Sequence, residues 1–166
     1  IDAGVCYGRL DVDCADPEPY AAALRRHLPP GTVVISSPLS RARRLAEALS
    51  PAVHIDPRLR EIDFGAWEGC RWDAIARPEI DAWASDVLGF IPPGGESVAM
   101  LHARAADFAA ELGTTAHAHV ALVSHAGVLR ALTGHWRGLA AHEWTQLTFA
   151  YGEHVTIDLS RPDTPR

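Results

Sequence analysis

Along the chain, short apolar runs alternate with segments in which apolar positions recur every three or four residues. Residues 17–28 carry Tyr20, Leu24 and Leu28 at four-residue spacing, which predicts a helix closed by Pro29, Pro30 and Gly31. Residues 32–36 (TVVIS) are β-branched and short, and predict a buried strand. A second helix is expected to run through Leu49, with Ser37 as its N-cap and Pro38 at its first position. Residues 53–55 predict a short strand, 59–69 an irregular or extended stretch, and 72–83 short helical pieces. Pro92-Pro93-Gly94-Gly95 reads as a loop. Residues 97–112 predict a long helix with Val98, Leu101, Ala105, Phe108 and Leu112 on one face. Residues 119–123 (HVALV) predict another buried strand, followed after Ser124-His125-Ala126-Gly127 by a helix to about Trp136. Residues 145–150 and 154–159 predict a closing hairpin around Tyr151-Gly152-Glu153.

Strands that alternate with helices imply an α/β protein, a three-layer α/β/α sandwich with a largely parallel central sheet. Ligands in such sheets sit beyond the carboxyl ends of the strands. The length, 166 residues, predicts one domain spanning 1–166. No apolar run is long enough to span a bilayer, so no membrane partner is expected. The formal net charge of −6 argues against a protein whose main task is holding a nucleic-acid backbone, and leaves room for a local cationic pocket. Three cysteines, Cys6, Cys14 and Cys70, without a C-x-x-C pair, fit a reducing cytoplasm better than a disulfide framework. Every basic residue is Arg. The absence of Lys excludes a Walker-type phosphate loop and Schiff-base catalysis.

Three segments carry candidate chemistry. In Ser36-Ser37-Pro38-Leu39-Ser40-Arg41, a strand runs into a helix whose first turn offers free N–H groups, a ready anion site. The dipole does not favour a cation there. Arg41 therefore either serves a bound anion or is simply solvated, like Arg43 and Arg44. In Val123-Ser124-His125-Ala126-Gly127, His125 closes a strand, and Gly127 lets a ligand approach backbone. A hydrogen-bonded core histidine is the alternative. Residues 59–69 place Glu61, Asp63 and Glu68 among aromatics. A carboxyl beside apolar groups can be tuned as a general acid, and these acids can equally pair with Arg58, Arg60 or Arg71. His117 and His119 form an H-x-H pair with no evident third ligand, so no metal is expected. Trp67, Trp72 and Trp83 either wall an aromatic group or pack the core.

In order, Tyr7-Gly8-Arg9-Leu10-Asp11-Val12, S-S-P-L-S-R (36–41), L-R-E-I-D-F-G-A-W-E-G (59–69), P-P-G-G-E-S (92–97) and V-S-H-A-G-V-L-R (123–130) resemble the histidine phosphatase superfamily, the phosphoglycerate-mutase-like fold. The wording is most similar to the α-ribazole phosphatase branch of cobalamin assembly. The resemblance implies a phosphomonoester hydrolase that works through a phosphohistidine on a small phosphorylated metabolite, with no cofactor. It gives Arg41 the phosphoryl group to clamp, Glu61 the proton donation to the leaving alcohol, and His125 the second pocket histidine. It places Arg9 and Asp11 at the substrate entrance, and Glu96 and Ser97 in a G-E-S element near the pocket. Leu45 stands where a Thr is common, at a position expected to pack the helix. The family's nucleophilic histidine lies in an Arg-His-Gly-like motif closing the first strand, upstream of the Y-G-R-L-D-V loop. These 166 residues contain no such motif, and the one Arg-His pair, Arg26-His27, follows that loop inside a predicted helix. The sequence starts at Ile1, and the motif and its strand are expected before it.

A phosphoglycerate-mutase-like phosphotransferase is the nearest rival, disfavoured because mutases of the family carry longer insertions. A phosphatase-like binding protein without turnover is the rival of another class. A haloacid-dehalogenase reading of Asp11-Val12-Asp13 fails for want of a clean apolar strand and a Lys. A cysteine phosphatase needs C-x-x-x-x-x-R, and at that spacing Cys6, Cys14 and Cys70 are followed by Val12, Tyr20 and Ala76.

Overall fold

The structure, a computed structural model, describes residues 4–159. Three parallel strands, β1 (Val33–Ser36), β2 (Val53–Ile55) and β3 (Val120–Val123), form a sheet in the order β2-β1-β3. The registers Val34–Val53 and Val34–Ala121 align the strands so that the ends of β1 and β3 lie side by side.

Successive strand residues point to opposite faces, and each face is covered. Val34 and Val123 pack against Ala21 of α1 (Glu18–Leu24) and Ala42, Leu45 and Ala46 of α2 (Ser40–Leu49). Ile35 and Leu122 pack on the other side, against the α4 (Val98–Leu112) and α5 (Ala126–Arg137) layer. That layer buries Leu101, Ala105 and Phe108 of α4 with Val128, Ala131 and Leu132 of α5. The three-layer α/β/α sandwich is thus built as the alternation of elements predicts. Helix α3 (Arg77–Ser85) lies in the 72–83 region, and residues 57–59, 65–67 and 72–74 form single 3-10 turns.

Three elements differ from expectation. The first helix ends at Leu24, and residues 25–27 tighten into a 3-10 turn. Ser37 is not the N-cap of α2. Leu39 takes that place, and the Ser37 hydroxyl is drawn to His125 instead. The hairpin over 145–159 does not form. Residues 141–144 make a short helix, α6 (Ala141–Trp144), which buries Trp144 in the α4/α5 core. The segment that follows satisfies its polar groups locally: Arg130 Nε donates to the Leu147 carbonyl, and Ala150 N donates to the Glu153 carboxylate. Tyr151 meets Tyr20 edge-on at 4.5 Å. A hairpin needs a neighbouring sheet edge to be stable, and these residues take side-chain partners on helices instead.

Candidate active site

Two strands deliver the site. At the end of β1, Ser37 N donates to the Val123 carbonyl, which carries the pairing one residue past the strand. His125, two residues beyond β3, then faces Ser37, with Nε2 and the serine oxygen 2.8 Å apart. Both side chains are buried. Burial, then the positive charges of Arg41 and Arg104, pushes the His125 imidazole down to about 3, against a partial pull upward from Asp11. It is a neutral ring, able to donate or accept a hydrogen bond.

Arg41 sits in the first turn of α2 and is half-buried. Its guanidinium donates to the carbonyls of Gly8 (2.5 Å) and Leu10 (2.9 Å) and lies 5.4 Å from the centre of the Tyr7 ring. The α2 N-terminus, expected to be free for an anion, is partly taken. Asp11 accepts from both Ser40 N and Ser40 Oγ, each at 2.8 Å. Asp11 therefore ties the 7–11 loop to α2 and brings a carboxylate to the positive end of the helix.

Glu61 reaches the same place from the 59–69 segment. Its carboxylate accepts from Ile62 N and from Gly127 N, at 3.0 Å each. Gly127 lies in the first turn of α5, two residues past His125. A Cβ there would stand 2.3 Å from Glu61 Oε1, so a larger residue would make the carboxylate move. Arg41, His125 and Glu61 are thus drawn together at the carboxyl ends of β1 and β3, where the fold class predicts a ligand.

The other expected site residues form a brace beside these three. Arg9 pairs with Asp63 (3.0 Å) and Glu96 (3.4 Å). Glu96 is buried, accepts from Arg104 Nη2 at 2.6 Å, and receives Asp63 N. Ser97 caps α4, accepting from Met100 N. Arg104 also donates to the carbonyls of Arg58 and Glu61, so it fixes the backbone that carries the acid.

Two residues were not singled out from sequence. Arg104 had a signal: it is a cation next to Ala105 on the apolar face of α4, eight residues after Glu96. Glu68 gave only membership in an acidic motif. Its carboxylate accepts from the backbone N–H groups of Gly8, Arg9, Leu10 and Phe64, at 2.9–3.0 Å. Burial alone would raise its pKa, but those four donors hold it below the usual carboxylate value. His27 is exposed, tilted 35° against the His154 ring with centres 4.4 Å apart, in the turn that follows α1. Among the described residues, no group of three or more His, Cys, Asp or Glu is placed to hold a metal ion.

The family profile described as histidine phosphatase superfamily (branch 1) matches residues 5–164. The chain belongs to the histidine phosphatase superfamily, and with it to a class of phosphatase enzymes. It is 34% identical over 160 residues to a glucosyl-3-phosphoglycerate phosphatase of Mycolicibacterium vanbaalenii, covering 84% of this chain and 70% of that protein. It is 28% identical to an adenosylcobalamin/α-ribazole phosphatase of Escherichia coli, covering 78% of this chain and 68% of that one. The native structure of a mycobacterial glucosyl-3-phosphoglycerate phosphatase superposes with a TM-score of 0.72 at 29% identity, over 87% of this chain and 77% of that chain. The chain spans 64–70% of the length of the glucosyl-3-phosphoglycerate and adenosylcobalamin/α-ribazole phosphatases it matches. The superfamily expectation holds. The narrower α-ribazole branch rests on a lower identity than the glucosyl-3-phosphoglycerate likeness, so the comparisons leave it a proposal. Among the described residues, no helix is long and apolar enough to cross a membrane.

Proposed function

We propose that the protein is a phosphomonoester hydrolase that works through a phosphohistidine intermediate on a small phosphorylated metabolite in the cytoplasm. The observation that carries this reading is the convergence of a guanidinium (Arg41), a neutral buried imidazole (His125) and a carboxyl (Glu61) at the ends of two adjacent parallel strands. In this reading, an imidazole that residues 1–166 do not supply attacks phosphorus in line. Glu61 protonates the departing alcohol oxygen, and the P–O bond breaks as the P–N bond forms. Water then attacks the phosphohistidine, with Glu61 now taking the proton. Arg41 neutralises charge on the equatorial oxygens and His125 donates a hydrogen bond to them, the kind of electrostatic stabilisation that dominates phosphoryl transfer. To do so, Arg41 gives up one or both of its loop carbonyls to the phosphoryl group. Arg9 and Asp11 line the entrance and hold the loop over it, and Glu96 and Ser97 support the floor.

Two substrates are supported by resemblance. Likeness to the Mycolicibacterium protein supports glucosyl-3-phosphoglycerate, and the motif wording with the Escherichia coli relative supports α-ribazole 5′-phosphate. The test is an assay of the full-length protein on p-nitrophenyl phosphate with and without EDTA, followed by denaturing quench of the labelled enzyme. The expected result is EDTA-insensitive turnover and an acid-labile, base-stable phosphoenzyme. Turnover without any trapped phosphoenzyme would refute the covalent route, and no turnover would favour a binding role.

A further inference from the structure

Beside Glu61 lies a cavity of about 280 Å³, and its walls are mostly aromatic and aliphatic. Tyr7, Phe64, Trp72 and Trp83 line it together with Val98 and Leu101 of α4. Its polar side chains are Glu61, Arg130 and Thr145, with the Tyr7 hydroxyl and the indole N–H groups of Trp72, Trp83 and Trp144. The aromatic wall is held rigidly. Trp72 and Trp83 stack at 10° with centroids 5.5 Å apart, and Phe64 meets both edge-on at 5.5 and 6.5 Å. Behind them Trp67 is buried, stacks on Phe90, and donates its indole N–H to the Glu79 carboxylate at 2.6 Å.

Two of the lining residues tie this cavity to the reaction. Glu61 is the proton donor proposed above, so the atom it protonates is the oxygen that carries the leaving group. Tyr7 presents its ring to both the cavity and the Arg41 guanidinium. A phosphoryl group clamped by Arg41 therefore projects its ester oxygen past Glu61, with the alcohol entering the cavity. A polyhydroxylated or carboxylated alcohol would lose water there and find few polar partners. A ring with an apolar face would gain contact with Phe64, Trp72 and Trp83.

We infer that this cavity is the leaving-group site, and that it selects phosphate monoesters whose alcohol carries an apolar or aromatic ring. The inference rests on the phosphatase reading above and adds the substrate class to it; of the two candidate substrates it favours α-ribazole 5′-phosphate, whose alcohol carries an aromatic base, over glucosyl-3-phosphoglycerate, whose alcohol is polyhydroxylated and carboxylated. The test compares kcat/KM of the full-length protein on 2-phenylethyl phosphate and glycerol 1-phosphate, both alkyl esters, so leaving-group chemistry differs little between them. A parallel titration of tryptophan fluorescence with 2-phenylethyl phosphate reads binding without turnover. The expected result is a preference for the phenyl ester of at least about tenfold, of the size a filled apolar pocket supplies, with quenching that saturates. Trp83→Ala is expected to lower that ratio toward one, and Trp83→Leu, which keeps the packing, to lower it partway. A ratio near one or reversed in the wild-type protein overturns the assignment of the cavity while leaving the phosphatase reading intact. Saturable quenching without hydrolysis of either ester supports the cavity and overturns the phosphatase reading. Neither quenching nor hydrolysis overturns both.

Discussion

At the scale of single residues, Glu61 and His125 carry predictions of opposite kinds. In the proposed mechanism Glu61 acts by protonation. Glu61→Gln is expected to cut kcat on an alkyl phosphate about 10²–10⁴-fold and to cost less on p-nitrophenyl phosphate, whose leaving group needs little acid help. Near-wild-type turnover of the alkyl ester would remove Glu61 from that role. His125 is held neutral by its burial and by the charges of Arg41 and Arg104. Its folded-state pKa is depressed, so its contribution to stability is full above the unfolded value and is lost as pH falls toward about 3. At pH 5 its ring carbons should still show neutral-imidazole NMR shifts, and inorganic phosphate should move the titration upward. A free ring already protonated at pH 5 would contradict the buried, cation-flanked setting. These two residues were legible in the sequence because their motifs name them. That Ser37 serves His125 rather than capping α2 was not legible, because a serine before a helix has the same local signature in both cases.

At the scale of elements, the site depends on close approach between a helix and a loop. Gly127 in α5 leaves room for the Glu61 carboxylate, and Gly8 lies against the Ile62 carbonyl, where a Cβ would come within 1.9 Å. Gly127→Ala is expected to displace Glu61 and to reduce turnover at least about tenfold, while alanine's better helix propensity favours the folded state by up to about 1 kcal/mol. Turnover and thermal melting measured on the same preparation check both halves. The 7–11 loop, in turn, hangs on Glu68, whose carboxylate collects three of its N–H groups. Glu68→Gln keeps one acceptor oxygen and turns an NH2 toward the remaining donors, at a cost of about 1–3 kcal/mol. Because the folded carboxyl is depressed, its stabilisation is present above the unfolded value of about 4.3 and is lost as pH falls through the folded value. The stability gap between wild type and Glu68→Gln in urea should therefore be largest near pH 7 and shrink by pH 3. Periodicity predicted the buried strands and long helices well, since those burial patterns are local. It failed at residues 145–159, where alternation looked like a hairpin but tertiary partners for Trp144, Leu147 and Tyr151 prevailed.

At the scale of the whole molecule, the fold of a net-acidic chain brings Arg41, with Arg104 behind it, to His125 at one end of a parallel sheet. Inorganic phosphate should bind there and stabilise the protein. At one hundred times its dissociation constant the gain is about 2.7 kcal/mol, a shift of several degrees in Tm relative to chloride at equal ionic strength. Arg41→Met should abolish most of that shift, and an equal shift in the variant would place the anion elsewhere. The sequence by itself determined the class of fold, the order of its motifs, and the identity of the three groups that meet at the site. Hydrophobic period and motif wording are written residue by residue, so they survive without coordinates. Only the tertiary structure decided how those groups are held: Arg41 by the 7–11 loop, Glu61 by the α5 N-terminus and Arg104, and the loop itself by Glu68. These are contacts between residues far apart in the chain, and a carboxylate that will gather three distant N–H groups has no local mark that separates it from one that faces solvent.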